Sequence, residues 1–500
     1  MWHELARPEI WVPWLLGMAF GILVGSTPGL TATMAVAILL PVTFHLPAMA
    51  GLAVILGVSF TAIFAGDIPA TLLRIPGTPA SAAATLDAYE LQRQGHGAPV
   101  LLTNLFCSAI GGLVGVGLLA LLAPQLARWA LRFSSFEYFW LGVFGLSLSA
   151  VLTPGQAWKG MAAAALGVLA STVGWDEVAA VERYTWGRTE LFGGLGFIPA
   201  MIGLFGLAEV FRSASHRLAR RPDARLEIRS ASSRALRTVL AHPRLILQSS
   251  LLGTLIGALP GAGADVAAWV SYGLAKRLSR RAQQFGQGCW EGVVAPTSAN
   301  NAAVAGAWIP ALVFGIPGDA VTAIVVGAML MYNIRPGPNL FHENIHQLHL
   351  LLAIAFLTQL FLIPAGMIGI LGFRLFIRLP HSLVMSAVVV FCVVGAYAIE
   401  QKWFHVMVMF GFGLLGLWFD RHQVPVAPFI LGMILQPILE LNLRQGLIKS
   451  DGRFQAAWER PESLVLMILT LAMILGPAMW HVVRRIVAGI ARPRTSESSP

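Results

Sequence analysis

RIPGTPASAAA, Arg74 to Ala84, lies inside a long apolar region yet carries two prolines within four residues; GIPGDAVTAIV, Gly315 to Val325, repeats its Ile-Pro-Gly ahead of further small residues. Proline removes an amide donor and clashes with the preceding turn, and glycine admits backbone conformations closed to other residues, so each motif stops a helix. In hydrocarbon the freed amides and carbonyls cost several kcal/mol apiece unless protein, water or a ligand receives them. A bound anion can meet the amides at a half-helix N-terminus, and a cation can meet the carbonyls. The blander reading of such a break is a proline kink that lets helices pack.

The surroundings are those of a membrane. Of 500 residues, 56% are hydrophobic and only 12% charged, about half the charged share of soluble proteins. Apolar runs from Val100 to Ala123, His349 to Leu371 and Leu464 to Trp480 are each long enough for ~30 Å of hydrocarbon. The expectation is an all-α polytopic membrane protein with about eleven to thirteen hydrophobic segments. MWHELARPEI, with one arginine and two glutamates, argues against a cleavable signal peptide. The formal charge of +10 sits in short loops beside apolar segments, which suits the positive-inside rule and not nucleic acid. Cys107, Cys289 and Cys392 lack the spacing of a disulfide framework or zinc site.

The breaks come in pairs. IPATLLRIPG, Ile68 to Gly77, matches IPALVFGIPG, Ile309 to Gly318, at an offset of 241 residues; GSTPGLTAT, Gly25 to Thr33, matches GALPGAGAD, Gly257 to Asp265, at an offset of 232. Two ordered motif pairs imply an internal duplication with a nine-residue insertion between the breaks. Gly/Pro-interrupted segments in corresponding places of two halves point to the binding site of a secondary transporter.

Charge orients the halves. Between Arg212 and Arg244 stand nine arginines against Asp223 and Glu227, and Lys276 to Arg281 reads KRLSRR, so the segment from Leu245 to Tyr272 is basic beyond both ends. It reads as a re-entrant hairpin from the cytoplasm; its counterpart, Trp11 to Phe44, lacks basic flanks and reads as one from outside. The expected organisation is an inverted pair of repeats over 1–211 and 245–485, a basic cytoplasmic loop over 212–244 and a cytoplasmic tail over 486–500.

At these residues the chain resembles the large membrane subunit of the tripartite tricarboxylate transporters. RIPGTPASAAATLDAYE and APTSANNAAVAGAWIPALVFGIPG carry the likeness, with further matches over Gly25 to Leu40 and Gly253 to Lys276. The resemblance implies a multi-pass permease of the bacterial inner membrane that imports a tricarboxylate or related organic acid. It also implies a periplasmic solute-binding protein and a small membrane subunit as partners, with a proton or sodium gradient as the drive. Arg74, Thr297, Asp67 and Asp319 depart from the family pattern. No cofactor is expected beyond a sodium ion, and no nucleic acid. The outward loop around Trp175 to Glu190 is the expected docking surface. A standalone ion-coupled organic-anion carrier is the alternative, ahead of a passive channel or an intramembrane enzyme using scattered Asp67, Asp87, Asp265 and Asp319. No phosphate-binding loop, metalloprotease motif or nucleophile elbow is present.

The expected substrate site combines the breaks Gly25, Pro28, Gly29, Pro76, Gly77, Pro317 and Gly318 with the donors Thr31, Thr33, Thr78, Ser81, Asn300 and Asn301. Arg74, whose fork can hold a carboxylate, joins them, unless it snorkels to the interface or pairs with Asp67. Ion coupling falls to Asp67, Asp319 and Thr322; the duller account makes Asp319 a helix N-cap.

Overall fold

The computed structural model describes residues 2–490 apart from 6, 28–29, 152–156, 177–178, 214–227, 377–380 and 400. Pro28, Gly29, much of the basic loop and the end of the tail therefore lie outside the described residues. The rest is helical almost throughout. Among the described residues six helices are long and apolar enough to cross a membrane, a further pair, Ala231–Ala241 and Pro243–Gly257, is bent by 73°, and six shorter apolar helices accompany them. The all-α polytopic fold expected from composition is the fold adopted.

The chain opens with α1 (Pro8–Gly25), α2 (Ala32–Thr43), α3 (Ala48–Ala65), α4 (Asp67–Leu73) and α5 (Ala82–Leu91), followed by α6 (Gly97–Ala130), α7 (Ser135–Val151) and α8 (Ala157–Ser171). A hairpin of β1 (Gly174–Asp176) and β2 (Val181–Arg183) leads to α9 (Phe197–Met201), a π-helical stretch (Ile202–Leu207) and α10 (Ala208–Ser213). Then come α11 (Ile228–Ala241), α12 (Pro243–Gly257), α13 (Gly263–Leu278), α14 (Glu291–Phe314) and α15 (Ala320–Met331). The remainder is α16 (Ile345–Phe376), α17 (His381–Ala398), α18 (Trp403–Arg421), α19 (Val426–Lys449) and α20 (Pro461–Ile490).

Small residues explain how the breaks reach the interior. A Cβ on Gly25 would collide with the carbonyl of Ala62 in α3, and one on Gly257 with that of Ala303 in α14. Glycine at these places lets backbones touch, where dispersion and close packing replace a hydrophobic drive. Gly25 and Gly257 correspond at the 232 offset, Ala62 and Ala303 at the 241 offset. The next contact repeats as well: a Cβ on Gly77 would strike the Gly25 carbonyl, and one on Gly318 would stand 2.8 Å from the Gly257 carbonyl. The duplication read in the sequence is thus a duplicated packing.

Each half forms a hairpin beside a broken span. α12 runs alongside α14, Ile246 clustering with Val294 and Gly257 meeting Ala303, and α13 returns, with the Ser271 hydroxyl donating to the Ala295 carbonyl at 3.1 Å. In the first half Gly25 meets Ala62, while Thr43 at the end of α2 and Gly51 near the start of α3 both face Tyr332 at the end of α15. At the opposite end Asp87 of α5 meets Tyr272 of α13, accepting its hydroxyl at 2.9 Å, and the amides of Gly286, Gly288 and Cys289 ahead of α14. The span α3–α4–α5 therefore starts where α14–α15 ends, and the two run in opposite directions. α3 with α4 is the most enclosed span, 89% buried against half or less for the other five.

The basic loop is not all loop. α11 lies within it and presses Ala231 and Ala235 into the cluster of Leu101 and Leu105 on α6, leaving Arg234 and Arg237 outward. That arrangement is the amphipathic pattern of a surface helix.

Candidate functional site

All four breaks open on one cavity of about 440 Å³. Thr31, Ala32 and Thr33 reach it from the start of α2, Thr78, Pro79 and Ala80 from the turn into α5, Gly263 to Asp265 from the start of α13, and Asp319 to Val321 from the start of α15. Four segments thus point helical N-termini at one space. Each terminus leaves backbone amides without intrahelical partners and carries roughly half a positive charge, so the cavity is provided with anion donors.

The N-terminal side chains differ between the halves. Thr31 caps α2, its hydroxyl accepting from the Met34 amide at 3.2 Å. Thr78 precedes the next turn, its hydroxyl 3.0 Å from that of Ser81. In the second half Asp319 caps α15 reciprocally: its carboxylate accepts from the Thr322 amide at 2.8 Å, and its own amide donates to the Thr322 hydroxyl at 2.9 Å. At the 241 offset Thr78 and Ser81 correspond to Asp319 and Thr322, and at the 232 offset Thr33 corresponds to Asp265. The first half thus lines the cavity with hydroxyls where the second brings carboxylates.

Of the residues expected to bind substrate, Thr31, Thr33 and Thr78 line the cavity, and Asp319 from the ion-coupling set joins them. Gly25, Gly77 and Gly318 form the packed backbone behind it. Ser81 lies one hydrogen bond behind Thr78. Arg74, Pro76 and Pro317 are not among its lining residues. Arg74 ends α4 in the left-handed region at φ 61°, exposed, with its guanidinium 5.6 Å from the centroid of the Tyr89 ring. No ion pair joins it to Asp67 among the described residues.

Asn300, Asn301 and Asp67 are buried in the packed interior. Asn301 donates to the Ser108 carbonyl at 3.1 Å and the Gln359 side chain at 3.0 Å, tying α14 to α6 and α16. Asn104 links Thr71 and Thr297 at 3.3 Å each. Ser81 and Asn300 stand beside the Asp67 carboxylate, but no hydrogen bond of good geometry reaches either oxygen of Asp67 or either amide atom of Asn300.

Sequence reading missed the cavity's far end, where Glu209 and Arg212 of α10 and Asp420 of α18 gather. Arg212 pairs with Glu209 and, at 3.4 Å, with Asp420. Arg212 had looked like one anchor among nine arginines, and nothing local marks it as facing a cavity. Among the described residues no cluster of His, Cys, Asp and Glu could hold a metal. The β-hairpin is fastened to α19, Arg183 donating to Glu440 at 2.9 Å and Arg444 pairing with Asp176 at 2.9 Å, and it leaves Trp186 79% exposed.

The model of the tripartite tricarboxylate transporter TctA family matches residues 12–431. An uncharacterised 52.8 kDa protein from the TAR-I ttuC' 3' region of Agrobacterium vitis is 33% identical over 472 residues, covering 94% of each chain. An uncharacterised protein from the TAR-II ttuC' 3' region of the same organism is 34% identical over 223 residues, 45% of this chain and 92% of the relative. No solved structure matches.

Proposed function

The chain belongs to the tripartite tricarboxylate transporter TctA family as its large subunit, and on that premise we propose that it is a permease importing organic carboxylates across the bacterial inner membrane. The observation that carries the reading is the convergence of four helix N-termini on one cavity. Carboxylate oxygens there accept from amides and from Thr31, Thr33 and Thr78 without the desolvation cost of a buried cation. The duplicated packing and the opposed broken spans support an inverted repeat, in which one half rocks against the other around a fixed site. The cavity extends to Arg212, which opens the basic segment assigned to the cytoplasm, so this conformation faces inward.

A periplasmic solute-binding protein captures substrate, and a small membrane subunit completes the transporter. The exposed aromatic hairpin around Trp186 is the docking surface for them. Import of an anion against the membrane potential requires a cation, proton or sodium, moving with it. The test is uptake of radiolabelled citrate by proteoliposomes containing the chain, with and without binding protein and small subunit. Accumulation that needs both partners and an imposed gradient is expected, whereas gradient-independent leak would identify a channel and full activity of the chain alone a standalone carrier. Thr33→Ala combined with Thr78→Ala should weaken uptake affinity at least tenfold, since a hydrogen bond to a charged group contributes about 1.5–3 kcal/mol.

A further inference from the structure

Building on that transport reading, we propose that Asp67, Asn300 and Ser81 form the site of the coupling cation, a proton or sodium, behind the wall of the cavity. Asp67 and Asn300 come from opposite halves of the chain and are wholly shielded from solvent, and although Ser81 and Asn300 stand beside the carboxylate, no bond of good geometry reaches either carboxylate oxygen or either amide atom. Buried polar groups are otherwise almost always paired, and a buried carboxylate without a cation is costlier than a neutral group. Ser81 and Asn300 flank the carboxylate, and the titratable group facing it from α6 is the Cys107 thiol. No arginine, lysine or histidine pairs with it among the described residues. A cation would supply the missing partner for the three oxygens, the carboxylate pair and Asn300 Oδ1.

The site is connected to the cavity through hydroxyls. Gly66, next to Asp67, packs so closely that a Cβ there would stand 2.7 Å from the Thr78 hydroxyl and 2.8 Å from that of Ser81. Those two hydroxyls share one hydrogen bond of 3.0 Å that can run in either direction, and Thr78 lines the cavity. With Asp67 ionised and empty, Ser81 donates toward the carboxylate and Thr78 donates to Ser81, so Thr78 turns a lone pair to the cavity and repels a carboxylate. With the cation bound, the Ser81 oxygen turns to it, Ser81 donates to Thr78, and the Thr78 hydrogen becomes a donor for the substrate. Cation and anion then stabilise each other's sites. Asp319 differs, because its Oδ1 accepts from the Thr322 amide and hydroxyl in the capping box of α15. The position equivalent to Asp67 is Trp308, so the duplication supplies no second carboxylate there.

The experiment uses the complete transporter in proteoliposomes and the detergent-solubilised chain in parallel. Asp67→Asn should lower gradient-driven accumulation of radiolabelled citrate at least tenfold while exchange of internal for external citrate persists, which also certifies folding. Asn300→Ala and Ser81→Ala should raise the cation concentration for half-maximal uptake about tenfold. An imposed sodium gradient without a pH gradient, and the converse, identify the ion. In detergent, Tm should rise with sodium chloride relative to choline chloride, or shift across a pH series, and Asp67→Asn should abolish that response. Wild-type accumulation by Asp67→Asn, or an unchanged Tm response in it, overturns the site. A Tm response that depends on Asp67 without any citrate uptake would uphold the site and overturn the carboxylate reading instead.

Discussion

Ile68–Gly77 and Ile309–Gly318 share a plan, and the residues in which they differ separate what the backbone needs from what the site needs. At the 241 offset Arg74 stands where the second half has Gly315, and both adopt the left-handed region, φ 61° and 70°. Glycine does so freely, whereas a side chain there costs about 1–2 kcal/mol. Arg74 offsets part of this by lying over Tyr89, outside the cavity's lining. The reverse holds at the next pair. Asp67 and Trp308 are both buried, but only the first half places a carboxylate there. At the N-caps the roles cross again, with hydroxyls in the first half and Asp319 in the second. The shared glycines maintain the breaks, and the unshared side chains make the two halves chemically different.

The strongest way to break the comparison is to disturb what the halves share. Gly77→Ala drives a methyl into the Gly25 carbonyl and should destabilise by about 3 kcal/mol; Gly318→Ala meets its counterpart at 2.8 Å and should cost about 2 kcal/mol. Unfolding in detergent measures both. A Gly77→Ala protein as stable as wild type would mean the contact is not close packed.

A smaller effect is expected at the caps. Asp319→Ala should lose about 1–2 kcal/mol, and Asp319→Asn only a few tenths, because asparagine still accepts the Thr322 amide. Asp319→Asn should also retain the gradient dependence of uptake, and its loss would move coupling from the first half to the second.

The smallest effect belongs to Arg74. Arg74→Gly copies Gly315; it relieves the strained turn, removes the contact with Tyr89 and adds chain entropy to the unfolded state, so stability should change by less than about 1 kcal/mol. Uptake affinity should be unchanged, and a tenfold loss would restore Arg74 as a substrate ligand.

Part of the site was legible in advance because proline and glycine act locally. Whatever the neighbours, Pro76-Gly77 and Pro317-Gly318 interrupt a helix, and the threonines and aspartate just after each break fall at the new N-terminus. Thr31, Thr33, Thr78 and Asp319, which line the cavity, were singled out that way. Asn300 and Asn301 were harder because they lie inside a continuous helix, where one residue turns the side chain by about 100°. That turn sends Asn301 to Ser108 and Gln359 and leaves Asn300 with both amide atoms unbonded. Arg74 was expected in the site because its surroundings in sequence are apolar, whereas its position is exposed and outside the cavity's lining.

The sequence by itself determined that the chain is helical and membrane-embedded, that it is duplicated, and where its helices break, since composition, repetition and Gly/Pro chemistry need no knowledge of the fold. Only the tertiary structure decided that four breaks share one cavity, that Glu209, Arg212 and Asp420 line it too, and that Asp67 faces Asn300 instead of Arg74. Those facts join residues hundreds of positions apart, and they depend on how each helix is rotated against its neighbours, which packing sets and local sequence does not encode.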